Sequence, residues 1–336
     1  MGKITKIKGA MGTSYKVQLI NQTMKNELME KLHDRGLFEL KAAIHGTCIK
    51  FFTDNKDYKE MWEDNFEPMQ DWIRPHGRIF AVSGFGSRDL TSHSSRALVE
   101  FKVLYEQQSK TVIVYGCEYY GWIKSIALAL VADFLEDFTS EHRRYSVHGS
   151  FIDFGGHGLA IIGPSGSGKT TLTYGLLRGK RANFLTDDWF FVRFGNDDVL
   201  VYSSEKNSYI RADLAKTWQE YAKCLDGIKL DKKERAIIDV KRLLGGERVR
   251  SHSVLSGTVL LTRDKILAPF RKLSAKEALE FMEGHDFCNL HQLVRSKEKM
   301  QKRKEFFAQL FKRKPVYLLN TIETPAQSLA RLKELV

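Results

Sequence analysis

The stretch that decides the reading is "AIIGPSGSGKTT", Ala160 to Thr171. Apolar residues run into glycines and serines, and these into a lysine and two threonines. Gly163, Gly168, Lys169 and Thr170 satisfy G-x-x-x-x-G-K-[ST], a loop that joins a strand to a helix and cradles phosphate. Gly163, Gly166 and Gly168 allow backbone conformations that side chains resist, so the N–H groups can converge on the α- and β-phosphates. The start of the following helix adds partial positive charge. Lys169 reaches the β- and γ-phosphates, and the Thr170 hydroxyl is a ligand for Mg²⁺. The expected nucleotide-binding run is Gly163, Pro164, Ser165, Gly166, Ser167, Gly168, Lys169, Thr170 and Thr171.

Two further elements flank this loop. "FLTDDWFFV" places Asp187 and Asp188 after a short strand, eighteen residues beyond Lys169. That is room for one helix and a return to the same end of the sheet. Paired carboxylates beside a phosphate loop can divide the labour between holding Mg²⁺ and accepting a proton from an attacking hydroxyl. The residues alone leave open which of Asp187 and Asp188 sits on the metal side, with Thr170, and which serves as base. "SVHGSFID" places His148 just before a strand, where it can orient the carboxylates or touch the transferred group.

Working outward, "HGSFIDF" and "LAIIG" read as strands joined through the Gly155–Gly158 turn, close enough to form a hairpin. Thr170 to Arg178 has helical character, and "GTVLLTRD" reads as another strand. "SAKEALEFMEG" and "TPAQSLARLKELV" open with capping-box spacing at Ser274/Glu277 and Thr324/Gln327. From Met1 to Arg144 the pattern is mixed. "SYKVQLI", "CIKFFTD", "RIFAVSG" and "TVIVYGCEYYG" read as strands, and Gln22–Gly36 and Trp122–Phe138 as helices. No catalytic pattern occurs in this half. The expected organisation is a smaller α+β domain over 1–144 and a nucleotide-binding domain over 145–336.

Bulk properties narrow the class. The 336 residues are 43% hydrophobic and 28% charged, the composition of a globular chain rather than a disordered or fibrous one. "SIALALVADFL" contains an aspartate and is too short to cross a bilayer. The opening "MGKITKIKGAMGTSYKV" carries no apolar secretory run, and Cys48, Cys117, Cys224 and Cys288 are widely spaced. A cytoplasmic protein without a membrane partner is expected. The net charge of +12 attracts polyanions in general. Its densest stretch, Arg295 to Lys314, reads as a solvated helix burying Phe306, Phe307, Leu310 and Phe311, or else as a docking surface for an acidic partner or RNA.

Taken together, His148-Gly149, the Gly155–Gly158 turn, the Gly163–Thr170 loop and Asp187-Asp188 resemble the HPr kinase/phosphorylase family. That family shares its nucleotide-binding core with ATP-dependent phosphoenolpyruvate carboxykinases. The likeness covers roughly Tyr145 to Val192. It implies an α/β fold, α+β overall, in which a C-terminal P-loop domain is built on a mixed sheet. It implies ATP and Mg²⁺ as cofactors, Lys169 on phosphate, Thr170 and Asp187 on Mg²⁺, Asp188 as proton acceptor and His148 assisting.

The chain departs from the family at Thr171, where a glutamate is usual, and at Tyr209 in "YIRAD", where the E-I-R-G run has its metal-binding acid. Glu205 or Asp213 is a candidate substitute, and Arg248 or Arg250 a candidate to steady the transferring group. The implied activity is a kinase that moves the γ-phosphoryl group to a hydroxyl of a protein serine or small molecule. A catalytically silent ATP-binding module docking an acidic partner and a nucleic-acid-stimulated ATPase remain alternatives. Homo-oligomers are compatible with all three.

Overall fold

A computed structural model describes residues 4–8, 14–84, 101–211, 213–225, 228, 230–231, 235–289 and 291–336, without the side chains of 4–8, 14, 224 and 289. Residues 1–3 and 9–13 of the opening segment, Ala212 of "YIRAD" and the Cys224 side chain therefore lie outside the described residues. The chain folds as two compact units, Met1–Phe138 with His291–Arg295, and Thr139–Leu290 with Ser296–Val336.

Among the described residues, the first unit carries an eight-stranded mixed sheet. Its spatial order is Ile4–Lys8, Ser14–Leu19, Lys102–Glu106, Thr111–Tyr115, Gly77–Val82, Thr47–Thr53, Phe38–Ile44 and Glu67–Pro68. Phe38–Ile44 carries Glu39, Lys41 and two alanines, a composition with little strand propensity, and it escapes sequence reading. The following turn recruits it. His45 and Gly46 have φ of 48° and 75°, the backbone of a tight hairpin that pairs Ile44 with Thr47. The apolar helix expected at Trp122–Phe138 spans Tyr120–Glu136 and is buried along most of its length. Its buried Asp133 accepts hydrogen bonds from Tyr105 Oη at 2.6 Å and Lys110 Nζ at 2.5 Å, which makes its burial tolerable.

Among the described residues, the second unit is built on a nine-stranded mixed sheet. Its main path runs Asn183–Thr186, Ser150–Asp153, His157–Ile162, His252–Thr262, Val199–Ser203, Trp189–Phe194 and Tyr145–His148. His252–Thr262 is long enough to pair with Val199–Ser203 through its first residues and with Val316–Asn320 through its last. The expected hairpin forms between Ser150–Asp153 and His157–Ile162. Its turn is shorter than "GGHG": Gly155 and Gly156 take φ of 75° and 100°, and the strand resumes at His157.

Period-two alternation sends successive side chains to opposite faces. Ala160, Ile162, Phe151, Leu260 and Leu318 enter one core, with Met282, Phe306, Phe307, Leu310 and Phe311 from the helices Ala275–Gly284 and Lys297–Arg313. Ile161, Ile152, Val259, Leu261 and Leu319 enter the other, with Leu172, Leu176, Leu329 and Leu332 from Lys169–Leu177 and Pro325–Lys333. A sheet covered on both faces explains why "LAIIG" is continuously apolar. Both expected capping boxes form, at Ser274/Glu277 and Thr324/Gln327. The basic stretch is the amphipathic helix Lys297–Arg313. Part of its charge is paired on the surface, Lys302 with Glu298 at 2.6 Å and Lys304 with Glu283 at 2.8 Å.

Candidate active site

Three parallel strands, His157–Ile162, His252–Thr262 and Val316–Asn320, direct their carboxyl ends to one edge of the second unit's sheet. The glycine-rich loop leaves this edge after Ile162 and becomes the helix Lys169–Leu177, one residue earlier than Thr170. Gly163 has no room for a side chain: a Cβ there would stand 2.7 Å from Leu261 Cβ and 2.7 Å from Ser167 Oγ. Gly166 and Gly168 have φ of 79° and 97°, the left-handed region that favours glycine. Gly168 is also the helix N-cap and supplies no side-chain cap, so the first-turn amides are left to an external acceptor. Ser167 Oγ closes the loop on Pro164 O at 2.8 Å, and buried Thr321 Oγ1 ties Ser167 O, at 2.8 Å, to Thr262 O, at 3.1 Å.

Lys169 folds back over the loop and donates to Gly163 O at 2.7 Å and Pro164 O at 3.2 Å. Burial pulls its ammonium below the ordinary lysine pKa, and the nearby charges of Asp188 and Asp187 oppose that shift. The acid pair therefore sits within electrostatic reach of the loop's lysine.

Strand pairing brings it there. Phe151 pairs with Thr186 and His148 with Trp189, so the Asp187-Asp188 turn falls opposite Gly149, whose N–H donates to Asp188 O at 2.9 Å. Gly149 in turn packs against the strand leading into the loop, where an added Cβ would meet Ile161 O at 2.7 Å. From the helix side, Thr173 Oγ1 donates to Ser150 Oγ at 2.7 Å.

The two acids occupy different environments. Asp187 is 8% exposed, and its Oδ2 accepts from Ser208 Oγ at 2.7 Å. Burial pushes its pKa up to about 6; the Ser208 hydrogen bond opposes the shift, the Asp188 charge adds to it, and Lys169 and the Thr170 hydroxyl hold it down. Thr170 is thus close to Asp187, although Asp187 Oδ1 keeps no well-formed hydrogen bond. The Asp188 side chain is 37% exposed, with Oδ1 3.4 Å from His148 Nδ1. The His148 ring stands edge-on to Trp189, centroids 6.1 Å apart.

Lys169, Thr170, Asp187, Asp188 and His148 are thus brought together, whereas Tyr209 has a different partner. Tyr209 turns away from the acids on Asn207–Arg211, under the guanidinium of Arg235 at 5.2 Å, while its strand neighbour Ser208 faces Asp187. Asp213 is exposed and precedes the short helix Leu214–Thr217. Among the described residues no group of three or more His, Cys, Asp or Glu is arranged to hold a metal ion.

The arginines of "GERVR" are structural. Arg248 donates to Leu177 O at 2.7 Å, Gly179 O at 2.9 Å and Ala182 O at 2.5 Å. It thereby serves the far end of a nine-residue helix about 13 Å long. Arg250 Nε lies 3.8 Å from the buried carboxylate of Asp153, which also anchors the hairpin turn through Gly156 N at 2.8 Å.

Sequence reading missed Ser208 and Thr321. Ser208 was detectable as the residue sharing a strand face with buried Ile210, but only once the strand's facing was known. Nothing local distinguishes Thr321.

No protein-family model matches the chain. It is 26% identical over 224 residues to the ATP-dependent phosphoenolpyruvate carboxykinase of Aeropyrum pernix, covering 63% of this chain and 41% of that one. It is 30% identical over 151 residues to the HPr kinase/phosphorylase of Lachnoclostridium phytofermentans, covering 44% and 41%. With the HPr kinase/phosphorylase of Chlorobium limicola it shares 33% identity over 84 residues, covering 25% and 24%. The chain thus spans about two fifths or less of the length of these curated relatives. The solved HPr(Ser) kinase/phosphatase of Coxiella burnetii matches with a TM-score of 0.32 at 16% identity, covering 56% of this chain and 96% of that one. The curated matches support the HPr kinase-like family, with the phosphate-loop core it shares with the carboxykinases. Among the described residues no helix is long and apolar enough to cross a membrane.

Proposed function

We propose that this chain is an ATP-dependent phosphotransferase of HPr kinase-like type, moving the γ-phosphoryl group to a hydroxyl of a protein serine or a small molecule. One observation carries the reading. A buried acid and a half-buried acid, adjacent in sequence, lie near the lysine of a glycine loop, the buried one also beside its first helical hydroxyl.

The uncapped first turn of Lys169–Leu177 and the tight Gly163 cradle suit a polyphosphate tail, with Lys169 turning from the loop carbonyls to phosphate oxygens. Thr170 and Asp187 would hold Mg²⁺; the buried Asp187 Oδ1, with no well-formed hydrogen bond, fits that role. When bound, Mg²⁺ neutralises developing charge on the phosphate oxygens. Asp188 is accessible to an acceptor hydroxyl, and His148 Nδ1 orients it from 3.4 Å. As the acceptor oxygen bonds to the γ-phosphorus, Asp188 takes the hydroxyl proton, the β–γ bridge breaks and ADP leaves.

The acceptor class follows the names of the curated relatives, HPr kinases among them. A second reading, an ATP-binding module without transfer, is favoured by Tyr209, which supplies an aromatic ring where the family has an acid. Labelled ATP with a panel of protein and metabolite acceptors separates the two. Transfer that Asp188→Asn abolishes, with ATP binding retained, supports the kinase. Undiminished turnover in that variant rejects the role of Asp188, and binding without transfer to any acceptor selects the silent module.

A further inference from the structure

Beyond the loop and the acid pair, the site contains a hydroxyl whose role follows from its position. Ser208 lies on Asn207–Arg211, a strand of the small two-stranded sheet formed with Arg235–Asp239, apart from the main sheet. It is 3% exposed, and its Oγ–H donates to Asp187 Oδ2 at 2.7 Å. Below it lies Tyr174, fully buried on the loop helix, whose hydroxyl is close enough to Ser208 and Asp187 for both to influence its ionisation. The carboxylate is therefore gripped by one oxygen from a separate strand. The other oxygen, Oδ1, is buried without a well-formed hydrogen bond, and the Thr170 hydroxyl is nearby.

A carboxylate that binds a divalent cation through one oxygen commonly has the other fixed by a hydrogen bond. Loss of such an outer partner costs metal affinity because the ligand is free to rotate. We propose that Ser208 is a positioning residue, holding Asp187 by Oδ2 so that Oδ1 is presented, with the Thr170 hydroxyl, to a divalent metal ion. The assignment rests on the metal role given to Asp187 under Proposed function. Ser208 itself touches neither metal nor nucleotide. The strand that brings no carboxylate to the site through Tyr209 contributes through the preceding hydroxyl instead.

The test compares wild type, Ser208→Ala and Ser208→Thr in the full chain. Mn²⁺ alone is titrated and the free ion followed by electron paramagnetic resonance, with transfer from labelled ATP measured alongside. Ser208→Ala is expected to weaken Mn²⁺ binding by about 10- to 100-fold, and Ser208→Thr, which restores the hydroxyl, to recover most of that loss. Equal Mn²⁺ affinity in wild type and Ser208→Ala overturns the assignment, as does a wild type that binds no Mn²⁺. Equal losses in Ala and Thr variants also overturn it, because they trace the effect to packing. If the wild type transfers no phosphoryl group yet binds Mn²⁺ in a Ser208-dependent way, the kinase reading fails and Ser208 keeps its role. Transfer that survives Ser208→Ala with unchanged Mn²⁺ affinity sinks Ser208 alone.

Discussion

Asp187→Asn should make the metal-free protein more stable at neutral pH, a consequence of keeping an acid in a dry site. The carboxyl's pKa is raised by burial from the ordinary 3.8 to about 6. For a raised acid, the folded state loses nothing below the unfolded value and loses stability as pH climbs through the folded one. The window therefore runs from about pH 4 to about pH 6. Above it, at 1.36 kcal/mol per pH unit, ionised Asp187 costs the fold about 3 kcal/mol. Asparagine keeps an acceptor for Ser208 Oγ and never ionises.

Urea denaturation of wild type and variant, at half-unit steps from pH 4 to pH 8 in chelator, measures this directly. The two curves should nearly coincide at pH 4 and separate to about 3 kcal/mol by pH 7, the variant being the more stable. Mg²⁺ with ATP should raise wild-type stability, and raise that of Asp187→Asn by less. Parallel pH profiles across the window would refute the placement of Asp187 in a desolvated site facing the loop.

Further predictions follow from single contacts. Lys169→Met removes the loop's cation and should lower transfer by at least about 100-fold in steady-state kinetics. Gly149→Ala drives a Cβ to within 2.7 Å of Ile161 O and should cost about 1–3 kcal/mol in chemical denaturation, with activity falling because loop strand and acid turn must separate. Arg248→Ala should destabilise by about 1–3 kcal/mol by releasing three carbonyls, yet leave kcat of the folded fraction intact; a specific loss of kcat would return Arg248 to the site. Phe307→Ala, on the buried face of the basic helix, should cost about 3–5 kcal/mol without changing ATP affinity per folded molecule, as calorimetry can check.

The loop was legible from sequence because its chemistry is local. A glycine at a positive φ, a lysine at the first helical turn and a hydroxyl beside it are properties of neighbouring residues, and so are helix caps such as Ser274/Glu277 and Thr324/Gln327. The acid pair was legible as a pair, and its eighteen-residue distance from Lys169 bounded where it could return.

Only the tertiary structure decided how the two acids differ. Burial and Ser208 act on Asp187, whereas Asp188 meets solvent and His148; His148 arrives through strand pairing with Trp189, and Ser208 from a separate two-stranded sheet. The same holds for Arg248 and Tyr209. One looks like a phosphate ligand but serves a helix end; the other stands where a metal acid is expected but faces Arg235. Local sequence sets backbone conformation, whereas a side chain's solvation and partners depend on residues far along the chain.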